Sequence, residues 1–435
     1  MAETVAGRSI GGAPRAAWRA LRAEVAGQPR ALKLWFALLT VLMAVGAVGA
    51  VLTLPPGDEV FGTNPSFEWG LLIAAYVFFA ITTSGLCLAS SLGTVFGLER
   101  FMPLEKRHAV LALLSLVTAF GVIALDLHYP IRLGFGAVLS PSPTSPMWWM
   151  GVLYGGYLAL LVVEVWSMFT GHEKTHNIAC TSASCMAILA PSTLGAVFGV
   201  LAARPYWHGS FTPPSLLAAA LLSGISLLGI VFYLVHRFQL KGWERATSLA
   251  IPALRLLLTI SLAVTILVAA WQILTTLYGS VPGLGDAMST MLVGPLAPWF
   301  WIGRVGVGVA IPMVLVLYRP TQTPVGLFAA SILAFIGVLV DRVLFVSAGQ
   351  IVSSTPSSGV VSSPFNEYTP SFVEISILVG SFAFLAFGYT LAERFLDMSE
   401  HVGSHRPLLS GWGRHPHEKQ DAGAPLVHDH AAAGH

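Results

Sequence analysis

Charge is what this sequence has least of. Only 10% of its 435 residues are Asp, Glu, Lys or Arg, against about a quarter in soluble domains, which excludes an ordinary water-soluble fold. The net charge of +2 is spread over loops rather than gathered on a basic stripe, so nothing points to a nucleic-acid partner. Cysteine is nearly as scarce. Cys87, Cys180 and Cys185 fall in or beside apolar runs without CxxC spacing, so no iron–sulfur cluster or zinc is expected in this chain. They read as small buried hydrophobes. Facing histidine pairs inside apolar runs, which a b-type haem needs, are also missing: His108, His128, His172, His176, His208 and His236 stand at run ends or in loops, and the rest crowd the C-terminal tail. No haem is expected and no metal site is assigned.

What the chain has instead is hydrocarbon. Hydrophobic residues make up 55% of it, in runs long enough to be helices across a bilayer, since about 20 residues at 1.5 Å rise cover the apolar core. A barrel would show short alternating strands. Ten spans are expected, at 33–53, 68–93, 108–128, 147–169, 180–203, 214–236, 250–277, 297–318, 325–346 and 371–392, which makes this an all-α integral membrane protein. A basic segment, 1–32, precedes a transmembrane domain over 33–395, and a His-rich tail, 396–435, follows it. No cleavable signal peptide is expected, because the first apolar run is followed by Pro-Pro-Gly-Asp rather than a cleavage site.

Arg8, Arg15, Arg19, Arg22 and Arg30 precede the first span, and Arg100, Lys106, Arg107, Lys174, Arg237, Lys241, Arg245, Arg319 and Arg394 follow even-numbered spans. The alternate loops hold little beyond Arg132 and Arg204. By the positive-inside rule both termini are cytoplasmic, in a bacterial inner membrane. The outer loops are long and rich in Gly, Pro, Ser and Thr, which suits a docking surface for a partner subunit.

Ionisable groups within or at the ends of spans are the functional candidates. Gly121 to Arg132 places Asp126, His128 and Tyr129 where an apolar run ends, and Glu68 and Trp69 start the second span at a similar depth. Such a set can serve a quinol: Asp126 as proton acceptor, His128 as hydrogen-bond partner of a ring oxygen, and Tyr129 as a further donor. The same residues can equally cap helices and anchor the interface. Deeper lie Glu164, Arg304, Asp341 and Arg342, with Glu374 at the start of the last span. They form either a proton path or buried charge pairs. Small residues at Ser84-Gly85, Gly195, Ser223-Gly224, Gly303, Gly306 and Gly308 mark close helix packing. Pro191 and Pro312 could interrupt helices, as a secondary transporter would require, but no matched pair of broken spans is evident.

From about Phe67 to Phe395 the sequence resembles the NrfD/PsrC-like membrane subunits of quinone-linked oxidoreductases, in their ten-helix form. The resemblance lies in Phe67-Glu68-Trp69-Gly70, Asp126-Leu127-His128-Tyr129-Pro130, Thr144-Ser145-Pro146-Met147, Ser192-Thr193-Leu194-Gly195 with Arg204-Pro205-Tyr206-Trp207, Phe300-Trp301-Ile302-Gly303, Asp341-Arg342 with Gly349-Gln350, and Tyr368-Thr369-Pro370-Ser371 with Glu374. The chain departs from the family pattern at His128-Tyr129, where Gly-Arg is usual, and at Ala190, where relatives often carry His. The resemblance implies two four-helix bundles with two peripheral helices, and a menaquinone or ubiquinone site near the outer face to which Ser192 also belongs. It further implies an iron–sulfur subunit on that face, in one complex with a molybdoenzyme, hydrogenase or multihaem cytochrome subunit, in some cases with a second NrfD-like subunit, and in some relatives a part in moving protons.

Overall fold

The computed structural model describes residues 30–53, 60–95, 98, 105–127, 141–237, 244–279, 284–352, 365–396 and 398. The Arg-rich start, His128 to Ser140, and the His-rich tail lie outside the described residues.

Ten described helices are long and apolar enough to cross a membrane. They are α1 (Arg30–Leu52), α2 (Leu71–Thr94), α3 (Glu105–Asp126), α4 (Pro146–Thr170), α5 (Glu173–Gly199), α6 (Thr212–Arg237), α7 (Glu244–Tyr278), α8 (Trp299–Leu317), α9 (Pro324–Ile351) and α10 (Phe372–Phe395). A nine-residue helix, Leu284–Leu292, precedes α8. Among the described residues, extended pairing is limited to two isolated bridges, Asn64 with Phe67 and Val352 with Phe365. The protein is all-α and multi-pass.

The helices pack as two groups of four. In the first, α2 lies against α3 and α5, and α4 against both α3 and α5; in the second, α6 lies against α7 and α9, and α8 against α7 and α9. Helices α1 and α10 pair outside these groups, and α10 leans on α2 and α3. The groups meet where α2 and α5 touch α6 and where α2 touches α9. That position explains why 89% of the α2 span is buried, against 22% for α1.

Glycine decides how closely the groups approach. A Cβ on Gly85 would strike the Ala220 carbonyl, and one on Gly224 would strike the Gly85 backbone, so α2 and α6 touch main chain to main chain. Gly195 packs on Pro213, Gly303 on Val340 and Gly308 on Gly337. Gly306 is different from the sequence expectation: its neighbour is the Trp301 carbonyl of its own helix.

Pairs of contacts show antiparallel packing of α2 with α3 (Phe79 with Ser115, Thr83 with Ala112), of α1 with α10 (Gly46 with Gly380, Gly49 with Ser376) and of α8 with α9 (Gly303 with Val340, Gly308 with Gly337). The start of α1 and the end of α10 therefore share one face, here the proximal face. The other, distal face gathers residues 60–70, 200–211 and 365–371.

Three sequence expectations change. Helix α5 starts at Glu173 rather than near 180, because α4 stops at Gly171 in the left-handed conformation (φ 75°) and the chain turns at once into the next helix. His176 thus becomes a buried helix residue, and so does His108, because α3 starts at Glu105. Cys87 and Cys180 are buried, but Cys185 faces outward. The two prolines do not unwind their spans. Helix α5 continues through Pro191, and the stretch Trp299–Ala310 before Pro312 takes up π winding, with the Ile311 N–H donating to the Gly306 carbonyl. Pro312 lacks the N–H that an α-helix would direct at residue 308, which places a donor-free position directly after the wider winding.

Candidate functional site

The distal face is built around the start of α2. Gly70 offers no side-chain cap, so the first N–H groups of that helix need partners from elsewhere. The Leu71 N–H donates to the Tyr368 hydroxyl at 2.6 Å and to Glu374 Oε1 at 3.2 Å. Glu374 is 1% exposed and also accepts from the Tyr368 hydroxyl at 2.7 Å, the Gly62 N–H at 3.0 Å and the Ser371 N–H at 2.8 Å. With Ser371 it forms a capping box at the start of α10. Burial raises the Tyr368 pKa, and the Glu374 and Asp126 carboxylates raise it further, so the hydroxyl remains a donor at physiological pH.

Asp126, the last residue of α3, is half-buried and close enough to bear on Tyr368. Glu68 is exposed. Next to it in the chain, Trp69 is gripped by its backbone: its N–H donates to Gln350 Oε1 and its carbonyl accepts from Gln350 Nε2, each at 2.9 Å. The Trp69 ring stacks on Trp207 at 4.9 Å and meets the Phe198 ring edge-on at 5.2 Å. Trp207 in turn donates from Nε1 to the Phe345 carbonyl at 2.8 Å, and Gly349 leaves room for its indole. Asp126, Glu68 and Trp69 thus share one face. His128 and Tyr129 fall outside the described residues. Ser192 stands apart, its hydroxyl donating to the Ile188 carbonyl at 2.6 Å, about 9 Å down α5 from Phe198 at 1.5 Å per residue.

A second cluster lies in the distal half of the α6–α9 group. Arg304, inside the π-wound stretch, bridges Asp341 from Nε at 2.7 Å, and Arg342 Nη2 bridges the other Asp341 oxygen. The Arg342 guanidinium lies 5.2 Å over the Phe345 ring and that of Arg304 5.5 Å over Phe300. Tyr206 joins from the α5–α6 connection; burial raises its pKa, Asp341 adds to this, and the two arginines oppose it. Thr265, Gly308 and Gly337 help line a small void beside Arg304 and Asp341. Centres of water-sized bodies find about 10 Å³ there, the scale of a single water.

Glu164 does not join that cluster. It lies in the proximal half of the α2–α5 group, 3% exposed, and its Oε2 has no hydrogen-bond partner. His176, Glu105 and Cys180 surround it electrostatically, and His176 Nε2 is 2.7 Å from Glu105 Oε1. Nearby at the same face, Arg107 bridges Glu393 at 2.8 Å, and Tyr389 donates to Glu393 at 2.8 Å. Sequence reasoning missed Gln350, Glu105, His176 and Glu393 as site residues. Glu105, His176 and Arg107 looked like loop residues because a polar first turn reads as the end of an apolar run. Among the described residues, no group of three or more His, Cys, Asp or Glu is arranged to hold a metal ion.

Ten spans in two groups of four, with acids and aromatics gathered at one face, define a membrane subunit of the NrfD type. Residues 59–353 match the family model described as polysulphide reductase, NrfD, and the chain belongs to that family. It is similar to a subunit of the selenate reductase of Mesobacillus selenatarsenatis, with 25% identity over 80% of this chain and 90% of the relative. It is similar too to the Hdr-like menaquinol oxidoreductase integral membrane subunit of Archaeoglobus fulgidus, at 26% identity over 80% and 90%. A membrane subunit of a putative dimethyl sulfoxide reductase of Halobacterium salinarum is 28% identical over 80% and 87%.

Proposed function

We propose that this chain is the quinol- or quinone-binding, haem-free membrane subunit of a multi-subunit oxidoreductase, exchanging electrons with an iron–sulfur subunit docked on the distal face. The observation that carries the reading is the half-buried Asp126 carboxylate at the end of α3, set beside the Tyr368–Glu374 network and on the same face as Glu68 and Trp69. Family membership supports it, as does the likeness to an archaeal menaquinol oxidoreductase subunit.

The residues present suit a quinone head group, which needs hydrogen-bonding groups at its ring oxygens and a base near one of them. Asp126 would take up a proton, and His128 and Tyr129, which follow it closely in the chain, would hold a ring oxygen. Glu68 would lend a second carboxylate, and Trp69, fixed by Gln350, would provide a rigid apolar wall. A bound quinol supplies two electrons and two protons; the chain's own part is to bind, orient and accept a proton. Electrons would pass to a metal centre in the iron–sulfur subunit, itself joined to a molybdoenzyme, hydrogenase or multihaem cytochrome subunit. Glu164, reached from the proximal face through Glu105 and His176, would be a proton acceptor in a translocation route. In this reading the face bearing Glu68 and Asp126 is the outer one and both termini are cytoplasmic.

Asp126→Asn in the intact complex should abolish quinol-linked turnover while the subunits still copurify; normal turnover by assembled variant removes Asp126 from the mechanism. A redox-silent anchor is the second reading. The close filling of the space around Trp69 by Trp207 and Phe198 favours it, and purified complex that neither retains nor binds quinone would establish it.

A further inference from the structure

We propose that the small void beside the Arg304–Asp341 pair is a binding site for a single water molecule, which joins that pair to Thr265 and so ties α7 to the charged contact of α8 with α9. All four helices of the second group line the void: Leu222 of α6, Thr265 of α7, Arg304 and Gly308 of α8, and Gly337 and Asp341 of α9. Thr265, Gly308 and Gly337 each stand near the middle of a span. Glycine makes the space. Gly308 and Gly337 meet main chain to main chain, so neither puts a side chain into the volume beside them. That volume admits the centre of a water-sized body over about 10 Å³, which is room for one water.

Room alone does not hold a water at that depth; two to four polar groups must meet it. Three lining side chains are polar. Arg304 and Asp341 keep 14% and 13% of their side-chain surface open to a water-sized body although both sit within spans. Each Asp341 oxygen takes one guanidinium N–H, from Arg304 Nε or Arg342 Nη2, and a carboxylate oxygen has lone pairs for two. Acceptor capacity is therefore left over. Thr265 donates its hydroxyl proton to the Ser261 carbonyl at 2.8 Å and is left as an acceptor. A hydroxyl so committed and a carboxylate cannot bond each other, because neither has a proton to give. Water has two. It would donate to Asp341 and to Thr265 and accept from the remaining N–H groups of Arg304, about three hydrogen bonds and the usual number for a buried water. This site is separate from the quinone reading and stands or falls without it.

The test is a density map of the whole complex, purified from its native membrane, at a resolution that shows ordered water. The wild type should carry one peak within hydrogen-bonding distance of both Asp341 and Thr265. Thr265→Val keeps the shape of the side chain but removes the acceptor, and should lose that peak. Thr265→Ser keeps the hydroxyl and should retain it. The wild-type map is decisive by itself and does not depend on a variant assembling. No peak in the wild type, a peak that persists unchanged in Thr265→Val, or one lost equally from Thr265→Ser would overturn the proposal.

Discussion

At four points within reach of one carboxylate, Glu374 fastens the start of α10 to the start of α2 and to the segment at Gly62. Hydrogen bonds to a charged group contribute about 1.5–3 kcal/mol each. Glu374→Gln keeps the shape but removes the charge and turns an amide NH₂ toward backbone donors. It should destabilise the protein by about 2–4 kcal/mol, read as a lower thermal midpoint of the intact complex. Glu374 was expected in a proton path or charge pair, and its capping box with Ser371 emerged from the structure. Two of its four partners, Gly62 and Leu71, lie some 300 residues earlier in the chain, and local spacing carries no trace of them. Asp341 and Arg342 were legible as a pair because charge inside an apolar run must be matched; that Arg304 would complete the trio needed the packing of α8 on α9. Tyr368 gives a pH expectation. Its raised pKa means that the folded state holds the proton more tightly than the unfolded chain, so the stability it contributes is complete below the ordinary value of 10.0 and falls as pH rises above it. Tyr368→Phe should flatten the alkaline limb of a stability–pH profile and leave the acid limb unchanged.

Among elements, α2 illustrates what helix-scale reasoning can reach. Its apolar run announces a span, and Ser84-Gly85 announces a close contact, but its central position follows only from its packing against α3, α5, α6, α9 and α10. Gly85→Val should prevent the α2–α6 approach, because the added carbons would enter the space of the Ala220 carbonyl. The expected result is overpacking of at least about 1–3 kcal/mol, measured as loss of assembled complex in membranes. Gly155→Val on α4, where nothing lies within 4 Å of the glycine, should assemble normally and serves as the control. Helix starts were the least legible elements. A first turn such as Glu173-Lys-Thr-His176 is hydrophilic, so hydropathy begins the span too late although the helix has already started.

For the molecule as a whole, ten spans, all-α architecture and two groups of four were legible from composition, run length and family resemblance. Orientation rests on the distribution of Lys and Arg. A reporter active only in the cytoplasm, fused after Phe395, should be active, and one fused at residue 141 should be silent; the reverse would invert the membrane orientation and move the proposed quinone site to the other compartment. The main-chain contact between Gly85 and Gly224 bears on how such a protein can work at all. At that point of the seam no side chain lies between the helices to yield, so a tilt of one group over the other there would have to part backbone from backbone.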